Sequence, residues 1–168
     1  MAVLSSPFDL PPGRLLALDL GQARIGVAVC DEGGVLATPL TVLRRRRTRA
    51  EDFAALRALV VKERAVGVLV GMPLGSGGEG AQARWARRYA SRLAGALPVP
   101  LAFWDETLSS MDAARLMVEG QGHTPVDAVA AAVILADFLE ARRARAAGQS
   151  RAEQQEEVPC SAEKLSAG

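Results

Sequence analysis

Apolar residues fall along the chain in two kinds of pattern. Short, nearly continuous runs come first: Leu15-Leu16-Ala17-Leu18-Asp19-Leu20, then Ile25-Gly26-Val27-Ala28-Val29-Cys30. Runs of this length suit strands buried on both faces. With a third segment they predict strands at about 15–20, 25–30 and 35–40. Gly21 and the Asp31-Glu32-Gly33-Gly34 cluster lie between them and favour an antiparallel meander. Two more strands are predicted at about 66–71 and 99–104. Helical spacing fills the intervals. A helix is expected from Thr48, because Thr48 and Glu51 have the spacing of a capping box and Phe53, Leu56 and Val60 make an apolar stripe. A second, from about 79 to 96, places Trp85, Tyr89 and Leu93 on one face. A short helix is expected after Ser109 and a last one from about 125 to 145.

The resulting order, βββ-α-β-α-β-α-α, predicts an α/β fold. Three antiparallel strands followed by two parallel ones give a mixed five-stranded sheet flanked by helices. Strands one, four and five run parallel, so their C-terminal ends share the edge where open α/β sheets place their sites. Residues 14–146 are expected to form one domain. Residues 1–13 are expected to be a flexible leader and 147–168 a disordered, polar tail.

Composition narrows this only a little. A chain of 168 residues can bury a proper core. No segment reaches the roughly 18 consecutive apolar residues of a membrane span, and the start does not read as a secretory signal. The two cysteines, Cys30 and Cys160, have no metal-ligand spacing, so a reduced, cytoplasmic setting is expected. The net charge of +1 says little about partners. Its distribution says more: Arg44, Arg45, Arg46 and Arg47 form a run with Arg49, and Arg84, Arg87, Arg88 and Arg92 lie on the second helix. Each group suits either a solvated surface or contact with phosphates.

The chemistry lies in the acids. Asp19 is a carboxylate inside a buried strand, which is costly without a partner. Asp105 and Glu106 follow strand five at the same edge, and Asp127 heads the last helix. Carboxylates from separate elements at one edge suit Mg²⁺ or Mn²⁺, which take hard oxygen ligands. Two such ions about 4 Å apart can activate a water and stabilise the leaving oxygen of a phosphodiester. Plainer roles exist for each. Asp19 could accept backbone N–H groups of the Gly21 turn. Asp105 and Glu106 could be surface loop acids. Thr124-Pro125-Val126-Asp127 fits a helix start with an acid in its first turn. His123 reads as a surface loop residue, and Trp85, Tyr89 and Trp104 as core anchors. The 71–78 loop could cradle a phosphate but lacks the ending of a P-loop.

Four segments in order resemble one family: Leu18-Asp19-Leu20-Gly21 with Arg24-Ile25-Gly26-Val27-Ala28; Gly71-Met72-Pro73-Leu74 with Gly78-Glu79-Gly80; Asp105-Glu106-Thr107-Leu108-Ser109-Ser110; and Val126-Asp127-Ala128-Val129-Ala130-Ala131 with Ile134-Leu135. They are similar to the YqgF/RuvX family, described as Holliday-junction resolvases and as pre-16S rRNA nucleases, over about residues 14–141. The resemblance implies a ribonuclease H-like fold, a Mg²⁺- or Mn²⁺-dependent nuclease, and catalytic and metal-binding roles for Asp19, Glu106 and Asp127. Arg24, Arg44, Arg45, Arg46, Arg47 and Ser110 are the expected substrate contacts. The substrate is expected to be structured RNA or branched DNA, and the protein a monomer or homodimer without a membrane partner. The chain departs from the family at Thr107, where a basic residue is usual. Two rival readings stand beside this one. The opening strand–Asp–Leu–Gly–hairpin also resembles the first phosphate motif of sugar kinases and actin-like ATPases, which need two such domains. The arginine groups alone would also suit a nucleic-acid-binding module without catalysis.

Overall fold

The computed structural model describes residues 1–73, 79–105 and 125–156, with side chains through residue 152. Its elements are β1 (Leu15–Leu20), β2 (Arg24–Cys30), β3 (Ala37–Arg44), α1 (Arg49–Lys62), β4 (Gly67–Met72), α2 (Ala81–Ala96), β5 (Leu101–Asp105) and α3 (Val126–Glu156). The five strands form one sheet in the order β3-β2-β1-β4-β5. β1 runs antiparallel to β2 and β2 to β3, while β1, β4 and β5 are parallel. The mixed sheet, its meander and its parallel half are those the apolar pattern predicts. The helix expected after Ser109 lies outside the described residues.

Alternation along the strands separates two cores. Leu16, Leu18 and Leu20 of β1 point to α1 and α2, where they meet Leu56, Val60, Ala86, Ala90 and Leu93. Leu15 and Ala17 point the other way, with Ala28 and Cys30 of β2, towards Ala131, Leu135 and Phe138 of α3. β4 is buried along its whole length, as a central parallel strand covered on both faces should be. The start of α1 is the expected capping box. The Thr48 hydroxyl accepts the Glu51 N–H at 3.3 Å, and the Glu51 carboxylate accepts the Thr48 N–H at 3.1 Å. Such a cap contributes about 1 kcal/mol.

Three boundaries differ from expectation, one of them at β3, which spans Ala37–Arg44 rather than about 35–40. The first 13 residues are not a loose leader. The Leu4 N–H donates to the Leu101 carbonyl at 2.8 Å, and the Leu101 N–H to the Ala2 carbonyl at 3.2 Å, so the segment lies along the outer edge of β5. A single 3-10 turn at Pro7–Asp9 follows. Phe8 packs edge-on against Trp104, and Leu10 is fully buried with the α3 core. Pairing covers an otherwise open sheet edge, and burial of Leu10 offsets the cost of ordering the segment. At the other end, α3 continues to Glu156, into the stretch expected to be disordered. Residues 157–168 lie outside the described residues.

Candidate active site

Asp19 is the penultimate residue of β1, on the face that carries Leu15 and Ala17. Directly opposite it in the antiparallel register is Gly26 of β2. A β-carbon on Gly26 would collide with the backbone carbonyl of Asp127. The first turn of α3 is therefore seated on β2, beside Asp19. Alanine at the contact positions permits that approach, since Ala128 and Ala131 are fully buried.

The two carboxylates feel each other as a result. Burial raises the Asp19 pKa above its ordinary value, and the negative charge of Asp127 raises it further. Both causes disfavour the ionised form, and a bound cation would reverse both. Arg24 shares the strand face of Gly26, two residues away. Its Nε lies 3.0 Å from Asp127 Oδ2 and holds the acid at the helix head. The pair is open to solvent, with side chains 59% and 36% exposed. The turn that presents these groups is tight. The Gly21 N–H donates to the Arg24 carbonyl at 2.9 Å, and a β-carbon on Gly21 would stand 2.6 Å from that oxygen.

The structure thus brings Asp19, Arg24 and Asp127 together. Asp105 ends β5 at the same edge of the sheet, one strand beyond β4. Glu106, Thr107, Ser110 and His123 lie outside the described residues. Oxygen donors on Asp19 and Asp127 fit a hard divalent cation, and the raised pKa of Asp19 is the mark of a carboxylate short of positive charge. Among the described residues, no group of three His, Cys, Asp or Glu side chains is set to hold a metal.

The arginine run divides. Arg44 closes β3 opposite Arg24 in register and is exposed, as are Arg46 and Arg47. Arg45 is turned inward. Its Nε lies 2.9 Å from Asp52 Oδ2, and its guanidinium sits 4.3 Å from the centre of the Tyr89 ring. Asp52, only 4% exposed, also accepts the Arg46 N–H at 2.8 Å and the Tyr89 hydroxyl at 3.3 Å. Burial holds the Tyr89 phenol well above its usual pKa, so it remains a neutral donor. Arg45 reaches on to the Gly21 carbonyl at 3.4 Å and so braces the turn after Asp19.

A family model described as "RuvX: Holliday junction resolvase" matches residues 13–141. The chain belongs to the RuvX family. A relative from Anaeromyxobacter sp., named "Putative pre-16S rRNA nuclease", is 46% identical over 138 residues, spanning 78% of this chain and 99% of the relative. A relative of the same name from Synechococcus elongatus is 40% identical over 142 residues, 80% of this chain and 93% of its own. Among solved structures, RuvC of T. thermophilus in complex with a Holliday junction substrate aligns with a TM-score of 0.56 at 19% identity. That alignment covers 77% of this chain and 96% of the other. The RuvX chain has the ribonuclease H-like fold, with Asp19 near the C-terminal end of β1 and Asp127 in the first turn of α3.

Two parts of the site, Gly26 and Asp52, are not singled out in the sequence for the roles they hold. The seating role of Gly26 has one signal, a glycine inside a strand pattern, which marks close backbone approach. Asp52 has none. An acid in the first turn of a helix is ordinary, and its burial depends on Arg45 and Tyr89 arriving from other elements.

Proposed function

We propose that this RuvX-family chain is a divalent-metal-dependent nuclease that hydrolyses phosphodiester bonds of structured nucleic acid, with the 5′ end of pre-16S rRNA as its substrate. The observation that carries the reading is the convergence of Asp19 and Asp127, set by the contact of Gly26 with the head of α3. Asp19, Asp127 and Glu106 would hold Mg²⁺ or Mn²⁺. When bound, the ion would supply water activation and neutralise charge on the leaving oxygen.

The chain's own residues do the rest. Asp19 comes from a rigid strand whose neighbours fix its position. Asp127 comes from a helix head, where a carboxylate is favoured by the helix dipole. Arg24 holds the Asp127 carboxylate and leaves a largely exposed guanidinium beside it, suited to a substrate phosphate. Arg44, facing Arg24 across the β2–β3 pair, extends that positive edge. The relatives' names favour rRNA, and the family description favours branched DNA. A panel of pre-16S 5′-end RNA, four-way junction and plain single strands, incubated with Mn²⁺ or EDTA, decides between them. Mn²⁺-dependent cutting of the rRNA precursor in preference to the junction supports the proposal. Preference for the junction moves the substrate to DNA, and no cutting of any member overturns the nuclease reading.

A further inference from the structure

A second basic feature lies on the opposite face of the sheet. Arg49 at the start of α1, with Arg88 and Arg92 of α2, surrounds a shallow depression of about 280 Å³ whose wall is Trp85 and Tyr89. The three arginines are exposed, and among the described residues none has an ion-pair partner. Arg88 and Arg92 stand four residues apart, one above the other on the helix. Three guanidinium groups around one hollow repel each other unless an anion lies between them.

The aromatic wall is fixed in place. Trp85 stacks on Tyr89 with ring centres 5.7 Å apart and planes 24° from parallel. Phe53 meets Tyr89 edge-on, and the hydroxyl of Tyr89 is tied to Asp52. Arg45 lies over both rings and is itself held by Asp52. Trp85 is half-buried and lines the hollow, so it offers a preset stacking surface. An apolar ring framed by unpaired guanidinium groups matches a nucleotide, with a flat base joined to a phosphate. A volume of about 280 Å³ is just under the range of ligand pockets, as suits a single nucleotide lying in an open hollow.

We infer that this depression binds an unpaired nucleotide of the nucleic-acid substrate, its base against Trp85 and the flanking phosphates on Arg49, Arg88 and Arg92. The inference rests on the nuclease reading and adds a contact outside the cleavage centre. Arg45 touches both the aromatic wall and the Gly21 carbonyl, and Gln22 bonds Gln82 of α2 at 3.2 Å. The hollow is thereby linked to the turn after Asp19, with the sheet between it and the α3 face. A substrate engaging both must carry a strand around that end of the sheet, which selects molecules with an unpaired segment next to the cut.

The test is binding of a fluorescent six-nucleotide oligouridylate to the full chain in EDTA, followed by anisotropy over a range of salt. Wild type should bind. R49Q/R88Q/R92Q should bind more weakly, and the slope of log K against log salt should be shallower by about 2, from roughly 0.7 per phosphate contact on a single strand. W85A should weaken binding roughly five- to hundredfold at fixed salt with the slope unchanged, and W85F should retain most of the affinity. Unaltered melting of the exposed triple-arginine variant keeps the result interpretable. Equal affinity and slope in that variant overturn the inference. Cutting of structured substrate with Mn²⁺ by wild type that fails to bind the hexamer overturns the inference and leaves the nuclease reading standing. Wild type that neither binds nor cuts overturns both.

Discussion

The backbone carbonyl of Asp127 occupies the space that a β-carbon on Gly26 would need. One missing methyl group thus sets the distance between the α3 head and the sheet, and with it the approach of Asp127 to Asp19. The contact is backbone on one side, so the clash cannot be relieved by turning a flexible side chain. Gly26→Ala should cost about 1–3 kcal/mol, the range for forcing atoms into a packed core. It should also move Asp127 away from Asp19. Gly95→Ala provides the contrast. Gly95 lies in α2, where a β-carbon meets nothing within 4 Å, and alanine there should stabilise by about 0.5–1 kcal/mol. Urea unfolding of the two variants should move the midpoint in opposite directions.

Asp19 opposes stability in the metal-free protein. Its folded-state pKa is raised by burial and by Asp127, so in the window above its ordinary pKa the native state holds a proton that the unfolded chain has released. Stability contributed by this group is therefore present at low pH and lost as pH rises through the folded-state value. At neutral pH, Asp19→Asn removes the cost and should raise the melting temperature in EDTA. A gain of about 1 kcal/mol would be about 2–4 °C for a chain of this size. Mn²⁺ should raise the melting temperature of wild type and leave the Asn variant nearly unmoved. A variant that melts lower than wild type in EDTA would contradict the account of Asp19.

The leader can be tested at one buried residue. Leu10 is 2% exposed and joins the core between β1 and α3. Leu10→Ala should cost about 2–5 kcal/mol, as for other buried leucines. A change within about 0.5 kcal/mol by chemical denaturation would restore the expectation of a loose segment.

Asp52 supplies a fourth stability prediction. Removing one partner of a buried ion pair leaves the other charge uncompensated, so Asp52→Ala should cost about 3–5 kcal/mol. The double variant with Arg45→Met should recover part of that loss, since it removes the stranded charge. If Arg45 instead served mainly to hold substrate, Asp52→Ala would weaken substrate binding and scarcely move the unfolding midpoint.

These residues show what the sequence discloses and what it hides. The sheet was legible because each strand carries its signal locally. β1 and β2 are nearly continuous apolar runs with a glycine turn between them, and Thr48 with Glu51 announces α1 within four residues. Asp19 stood out because a charge in such a run needs an explanation. The docking of the leader was not legible. Leu4, Phe8 and Leu10 have no period, and their partners at Leu101, Trp104 and Phe138 are about a hundred residues away in the chain. Arg45 could not be told from Arg44, Arg46 and Arg47, because a run of identical residues says nothing about which one turns inward. That is decided by Asp52 and Tyr89, which reach it from two different helices.

The proposed nuclease activity depends on the carboxylate of Asp19. Its most direct test is single-turnover cleavage of the pre-16S 5′-end substrate with Mn²⁺, wild type beside Asp19→Asn, with both proteins shown to be folded by their melting curves. Asparagine keeps the shape and removes the charge. The account predicts that wild type cuts and that the variant loses at least about a hundredfold in rate, the scale of removing one preorganised electrostatic group from an active site. Equal rates for the two proteins would contradict it.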